Sequence, residues 1–396
     1  MNQAALIYDA VRTPRGKGRE GGALNAVTPI ELQTVLMRAI LERNGLDAGA
    51  IGDIILGCVT QVGEQGANIA KVAALVAGLP SSVSGITINR YCTSGLDACN
   101  FAAMKVMTGV DDVVLAGGVE SMSRVPMLAD KASLYVDPEV SKAARWVIMG
   151  LAADLVASLA GIDREACDAY AVRSQQRAAA AQESGAFARS LIAVNGVDRD
   201  ESVRGSVTVD KLATFEPLFT RFGKNGQEAA FKAAFPDLEE LRYVHHAGNS
   251  PGIVDGASLA IIGSERAGRD HGLRARARIR AMSNVCGNEL TALTGGIEAA
   301  EDVLAKAGMS ARDVDLVEFN EAFAAVSIKF LRDTAWDADQ VNVNGGAIAL
   351  GHAMGATGTS LVGTVLDELE RRDLNVGLVA VSGAAGIGTA TIIERV

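Results

Sequence analysis

Short apolar runs alternate with stretches of helical spacing along this chain, and the alternation occurs twice. In the first half the runs are Ile51-Gly52-Asp53-Ile54-Ile55-Leu56-Gly57, Gly85-Ile86-Thr87-Ile88 and Val113-Val114-Leu115-Ala116-Gly117-Gly118. In the second half they are Val314 to Asn320, Val341-Asn342-Val343-Asn344 and Leu378 to Gly383. Runs of this length, bounded by Gly and Asn, predict strands. Met1 to Asp9 reads as a first strand, and Leu96 to Met107 reads as a helix. Arg38 to Gly57 runs helix, turn, strand, and so does Glu301 to Asn320, each turn carrying Gly before an apolar residue (Gly45-Leu46, Gly308-Met309). Self-similarity at this range predicts duplication of one α/β unit rather than a short-period solenoid. The expected fold class is α/β, with mixed, largely parallel sheets covered by helices.

Between the halves, over residues 122–246, the pattern changes. Ala166 to Ser184 is rich in Ala, Gln and Arg and helical by propensity, with Asp163 as its N-cap. Leu191 to Leu241 reads as irregular. The organisation expected is therefore a first half over 1–121 and 247–271, an inserted loop domain over 122–246, and a second half over 272–396. Excursions from strand ends in α/β folds commonly build substrate sites.

Composition narrows the class. The chain has 396 residues, 49% apolar and 21% charged, with net charge −10 and no basic block. That argues against a nucleic-acid surface. Five cysteines without regular spacing do not suggest a disulfide framework, and four histidines form no zinc-spaced cluster with them. No metal site is expected. With no signal-like start, no membrane-spanning apolar run and no peroxisomal tripeptide, a reduced, cytoplasmic location is expected.

Cys92 is the candidate nucleophile. It lies in Asn89-Arg90-Tyr91-Cys92-Thr93-Ser94-Gly95, between a predicted strand and a predicted helix. A helix N-terminus favours a thiolate, and a thiolate can attack a thioester carbonyl. The competing reading is a buried structural Cys. His352 closes the Gly-rich run Gly345-Gly346-Ala347-Ile348-Ala349-Leu350-Gly351-His352 and is the natural base for a thiol proton. Asn320, at a strand end in Asn320-Glu321-Ala322-Phe323, can hold a water or polarise a carbonyl, or can simply be a turn Asn. Ser382-Gly383-Ala384-Ala385-Gly386 follows another apolar run. Its N–H groups could bind an oxyanion, or it could be a plain turn.

In this order, with Arg12-Thr13-Pro14, Gly117-Gly118-Val119-Glu120-Ser121-Met122-Ser123 and Ala247-Gly248-Asn249, these pieces resemble the thiolase family over nearly the whole chain. The resemblance implies two duplicated βαβαβ-type halves in an α/β/α/β/α layering, with an inserted loop domain. It implies a homodimer or homotetramer acting on acyl-CoA thioesters, with coenzyme A as substrate and no tightly bound cofactor. By the resemblance, Cys92 is the acyl-accepting nucleophile and His352 its base. Asn320 with a water and His352 forms one oxyanion site, and the backbone N–H groups of Cys92 and Ala384 form another. Met149, Ala247, Pro251, Ala322 and Phe323 would touch the pantetheine arm, with Met149 and Phe323 equally readable as core. Arg189, Arg221 and Lys224 are candidates for the CoA phosphates.

The chain also departs from the family pattern. Ser382 stands where a second cysteine moves the proton at the acetyl α-carbon, and an alcohol is a far weaker acid than a thiol. Ala353 stands where Pro usually follows the loop His, and Pro251 where a small hydroxyl residue is common. Ser121 to Met127 resembles the degradative 3-ketoacyl-CoA branch. The alternatives are a thiolase-like acyl-CoA-binding protein of weak or partial activity and, less well supported, a ketoacyl synthase, which expects a His where Asn320 lies.

Overall fold

The structure is a computed structural model and describes residues 3–396; Met1 and Asn2, the start of the expected first strand, lie outside the described residues. Its strands are β1 (Leu6–Arg12), β2 (Gly16–Lys17), β3 (Asp53–Gly57), β4 (Ile86–Ile88), β5 (Val113–Ser121), β6 (Val254–Gly263), β7 (Ala277–Cys286), β8 (Leu316–Phe319), β9 (Val376–Ser382) and β10 (Ile387–Arg395). They form one path, β4-β3-β5-β6-β1-β7-β10-β9-β8, with β2 on β6. The two halves meet where β1 pairs antiparallel with β7 at Leu6–Arg278 and Ile7–Ala277. Each side of that seam has the same plan, reflected in the order of the path. Val341 completes the match: it bridges Val317 of β8 in parallel, where β4 pairs β3 in the first half. It makes a bridge rather than the expected strand because Asn342 turns into left-handed backbone (φ 50°). The Asn342 side chain then pairs with both Phe319 N–H and C=O at 2.8 Å, as a neighbouring strand would.

The sheet is less parallel than its pattern predicts. Only β3–β4, β3–β5 and β8–β9 are parallel pairs. The reason is connection length. Helix crossovers give parallel neighbours, whereas β9 reaches β10 through the tight turn Ala384–Gly386, which dictates an antiparallel pair. β5 and β6 are also antiparallel, joined through the whole helical excursion of the inserted region.

Helices Ser94–Thr108 and Met354–Arg372 lie against each other between the two halves of the sheet. They share a buried cluster (Leu96, Ala102, Val106, Leu361, Val365) with Ile7 and Ile55 of one half and Val379 and Ile393 of the other. Outer helices Pro29–Asn44 and Gly295–Ala307 cover the remaining faces through separate clusters. The layering is α/β/α/β/α. The central layer carries much of the cohesion: truncating the fully buried Leu366 to Ala would cost about 2–5 kcal/mol. The two central helices approach so closely that glycine is required. A Cβ on Gly95 would lie 2.6 Å from Gly355 O, and one on Gly358 would lie 2.2 Å from Leu96 N. This contact sets both helix N-termini side by side.

Between β5 and β6 the described chain is helical and irregular. The long helix runs Arg164–Ser184, and Asp163 caps it by accepting from Ala166 N–H at 2.8 Å. The stretch expected to be irregular contains short helices at Val209–Ala213, Thr220–Phe222 and Glu228–Ala234. No helix is long and apolar enough to cross a membrane among the described residues.

Candidate active site

Cys92 and His352 each stand two residues before a central helix, at Ser94 and Met354. The Gly95–Gly355 contact therefore brings the two loops to one place. Asn320 directly follows β8, its N–H bonded to Ala380 O of β9 at 2.9 Å. Past the end of β9, a Cβ on Gly383 would lie 3.5 Å from Arg90 O and 3.4 Å from Thr93 Cγ2, so this loop rests against the Cys92 loop.

The Cys92 thiol is half-buried. Burial and, after it, the nearby Glu120 carboxyl push its pKa up to about 12. These effects outweigh the helix N-terminus, which by itself favours a thiolate, and keep the thiol protonated. Tyr91, just before it, holds a left-handed backbone (φ 51°), a conformation costing on the order of 1–3 kcal/mol and sustained only by its surroundings.

The His352 imidazole is held by one of its two nitrogens. Its Nδ1 lies 2.8 Å from Thr357 Oγ1, and that hydroxyl donates its proton to Ala353 O at 3.1 Å. Thr357 must therefore accept from Nδ1–H, which leaves the lone pair on Nε2. Nε2 is buried and has no hydrogen-bond partner. Burial first, then the Arg15 charge, lowers the imidazole pKa to about 4. It is neutral at physiological pH. No hydrogen bond joins the Cys92 thiol to His352 among the described residues.

Asn320 is 1% exposed, yet neither its Oδ1 nor its Nδ2 has a partner. Such a group costs stability unless something satisfies it, so its place in a site is a ligand or a held water. Its neighbour Glu321 anchors the segment, accepting from Ser174 Oγ at 2.7 Å, Tyr170 Oη at 3.0 Å and Ile348 N–H at 3.0 Å. One buried carboxylate thus ties the Asn320 motif, the long helix of the inserted region and the loop leading to His352 together.

Ser382 is fully buried and accepts from Gly296 N–H at 2.9 Å. It serves as a cap for helix Gly295–Ala307, whose own N-terminal residue Thr294 makes no side-chain cap. The Ser382 hydroxyl proton is left without an acceptor, and no hydrogen bond links Ser382 to Cys92, His352 or Asn320. The N–H groups of Cys92 and Ala384 donate to no other residue among the described residues.

The expected pantetheine residues divide. Gly252 O accepts His352 N–H at 2.9 Å, so the Pro251–Gly252 segment borders the base directly, and Ala247 is exposed a few residues before it. Ala322 and Phe323 are buried, the Phe323 ring standing edge-on to His245 (5.2 Å) and Phe219 (6.0 Å). Met149 packs half-buried against the same core. Arg189 pairs with Glu370, 16 residues along helix Met354–Arg372 and so about 24 Å from its His352 end at 1.5 Å per residue. Arg189 is thereby engaged in an ion pair, whereas Arg221 and Lys224 make none among the described residues and are exposed in the inserted region.

The pattern pointed to no role for Glu120 or Thr357. Glu120 accepts from Val59 N–H, Thr60 N–H, Gln65 Nε2 and Gly355 N–H at 2.8–3.1 Å. It caps the His352-side helix from β5, and burial raises its pKa despite those bonds. A lone acid inside an apolar strand run was the available signal.

The thiolase N-terminal domain family matches residues 5–266, and the thiolase C-terminal domain family matches residues 273–395. The chain belongs to the thiolase family. It is 40% identical to a 3-oxoadipyl-CoA/3-oxo-5,6-dehydrosuberyl-CoA thiolase of Escherichia coli K12, over 99% of each chain. It is 39% identical to a 3-ketoacyl-CoA thiolase of Shigella boydii, over the full length of both. A crystal structure of the Bacillus anthracis acetyl-CoA acetyltransferase superposes with TM-score 0.84 at 32% identity, covering 100% of this chain and 99% of that one. The family, the layered fold and acyl-CoA thioester chemistry stand on these likenesses together.

Proposed function

We propose that this thiolase cleaves 3-ketoacyl-CoA with CoA, giving acetyl-CoA and a shortened acyl-CoA, and runs the reverse condensation, through an acyl-Cys92 intermediate. The observation that carries this reading is the base: a neutral His352 with a buried, unpartnered Nε2, set beside the Cys92 loop by paired helix N-termini. His352 Nε2 takes the thiol proton as Sγ attacks the 3-keto carbon. The bond between C2 and C3 breaks, its electron pair leaves as the acetyl-CoA enolate, and the enolate takes the proton released by the His352 imidazolium, relayed through water, which returns His352 to its neutral form. Free CoA then attacks the acyl-Cys92 thioester and restores the thiol. The unpartnered amide of Asn320, holding a water, suits the enolate oxygen, and the free N–H groups of Cys92 and Ala384 suit the tetrahedral oxyanion. Both steps are acyl transfers with proton movement, so CoA is needed as substrate and no tightly bound cofactor is called for.

A second reading has its own observation. Ser382 Oγ accepts from Gly296 N–H and bonds to none of Cys92, His352 or Asn320. An alcohol is also a far weaker acid than a thiol, so a protein that acylates Cys92 but turns over slowly fits that arrangement. Thiolysis of acetoacetyl-CoA and of a medium-chain 3-ketoacyl-CoA separates the two.

The same reading includes a homo-oligomer. Leu75, Val76 and Ile86 are about half exposed, and Ile86 lies on β4, the open edge of the sheet. Exposed edges and apolar residues of this kind are ordinarily covered. Sedimentation or size-exclusion with light scattering tests it; a monomer at micromolar concentration contradicts it.

A further inference from the structure

We propose that Asp97 is a positioning residue that clasps the Cys92 loop and sets it in register with the second half of the molecule. The proposal rests on the thiolase reading of Cys92 for its functional meaning, and on geometry for its substance.

Asp97 lies in the first turn of helix Ser94–Thr108 and is 0% exposed. Its Oδ1 accepts from Arg90 Nη1 at 2.7 Å and from Asn284 Nδ2 at 2.8 Å, and its Oδ2 meets Thr93 Oγ1 at 2.8 Å. Thr389 Oγ1 stands 3.3 Å from Oδ1. Arg90 and Thr93 bracket Cys92, two residues before and one after. Asn284 and Thr389 belong to β7 and β10, in the half that carries Asn320, His352 and Ala384. One buried carboxyl therefore holds both flanks of the nucleophile to the opposite half.

Two further contacts complete the clasp. Ser94 Oγ accepts from Arg90 N–H at 2.8 Å and donates to Tyr91 O at 2.6 Å, closing the loop around the left-handed Tyr91. The Arg90 guanidinium lies over the Phe101 ring at 5.5 Å, which keeps it turned inward. Gly383 rests on Arg90 O and Thr93 Cγ2, so the loop bearing Ala384 N–H sits on the same two residues that Asp97 grips. Shifting the clasp moves the Cys92 N–H and the Ala384 N–H relative to each other. Those are the two donors assigned to the oxyanion. Removing an ion-paired, fully buried acceptor leaves Arg90 and Asn284 donors unmatched, so the loop must rearrange rather than merely lose one contact.

Asp97→Asn and Arg90→Met test the proposal from both ends, with Thr93→Ser as the conservative control that keeps the hydroxyl. The measurements are kcat and KM for thiolysis, melting temperature, and the pH dependence of Cys92 alkylation by iodoacetamide. A positioning role predicts a fall in kcat of about tenfold or more with KM for the CoA thioester within about twofold, a displaced alkylation pH profile, and near-normal values for Thr93→Ser. Unchanged kcat and alkylation profiles in both variants would overturn it. So would a kcat that falls only as far as the folded fraction and melting temperature fall, with the alkylation profile unmoved, which is the mark of a purely structural group. If Asp97→Asn does not fold, Arg90→Met decides alone. Alkylation needs no substrate, so a wild-type chain without thiolysis would sink the thiolase reading while the clasp was still judged by its alkylation profile.

Discussion

Thr357 holds the imidazole of His352 by its Nδ1 at 2.8 Å, and because the Thr357 proton goes to Ala353 O, the bond runs from histidine to threonine. A hydroxyl five residues along the chain thereby selects the tautomer that leaves the Nε2 lone pair free, as the proposed base requires. Thr357→Val keeps the volume and removes the acceptor. The expected loss is about 10- to 100-fold in kcat/KM, with Thr357→Ser close to wild type. Steady-state kinetics of the two variants check this, and equal activity in all three proteins would dissociate the tautomer from catalysis.

The imidazole pKa of about 4 sets a pH window. Folded His352 stays neutral where an unfolded histidine, near 6.5, already binds a proton. The unfolded state therefore takes up more protons between pH 6.5 and about 4, and stability falls as pH falls through that range. The difference is about 3 kcal/mol at the acid end. His352→Gln removes the linkage, so the gap in stability between variant and wild type moves in the variant's favour over that interval. Denaturant melts at several pH values measure it, and a pH-independent gap would contradict the assigned shift.

Glu318 gives the opposite sign. It lies buried on β8, and burial, aided by Glu321 and Glu368, raises its pKa well above the ordinary carboxylate value. Its contribution to stability is complete below pH 4.5 and is lost as pH rises toward the folded pKa. Glu318→Gln is isosteric and uncharged, so its stability relative to wild type increases with pH, by about 1.4 kcal/mol per unit within the window. A constant difference across pH 5–8 would show that Glu318 is not held protonated.

Ser382→Ala removes the cap from Gly296 N–H and should cost about 1–2 kcal/mol of stability, read as a lower denaturation midpoint. Ser382→Cys restores a thiol acid next to the Cys92 loop and should raise thiolysis relative to wild type while weakening the same cap. If Ser382→Cys leaves turnover unchanged, proton transfer at the α-carbon does not limit the natural enzyme.

The duplicated plan was legible in the apolar runs, because strands buried on both faces are apolar throughout and the helices between them have their own spacing. Cys92, His352 and Asn320 stood out as candidates for a different reason: each closes a strand or Gly-rich loop, where local chemistry stands out from packing. What the pattern could not supply was pairing across distance. The antiparallel share of the sheet follows from how segments hundreds of residues apart return, as β1 meets β6 and β7. The neutral resting thiol follows from burial and from Glu120, whose carboxyl is drawn to the site by Gly355 N–H, 235 positions later. Arg189 carries no local sign of its partner, and the fold brings it to Glu370 near the far end of the central helix. Asp97 resembles an ordinary first-turn acid until β7 and β10 deliver Asn284 and Thr389 to it.

The central claim is that Cys92 carries the acyl group through thiolysis, and it is tested most directly by CoA-dependent loss of 3-ketoacyl-CoA enolate absorbance in wild type and Cys92→Ala, with intact-mass detection of the acylated chain. The account predicts turnover in the wild type, an added acyl mass on Cys92 when CoA is withheld, and neither in Cys92→Ala. Turnover that survives Cys92→Ala, or a wild type that neither acylates nor consumes either substrate, would contradict it.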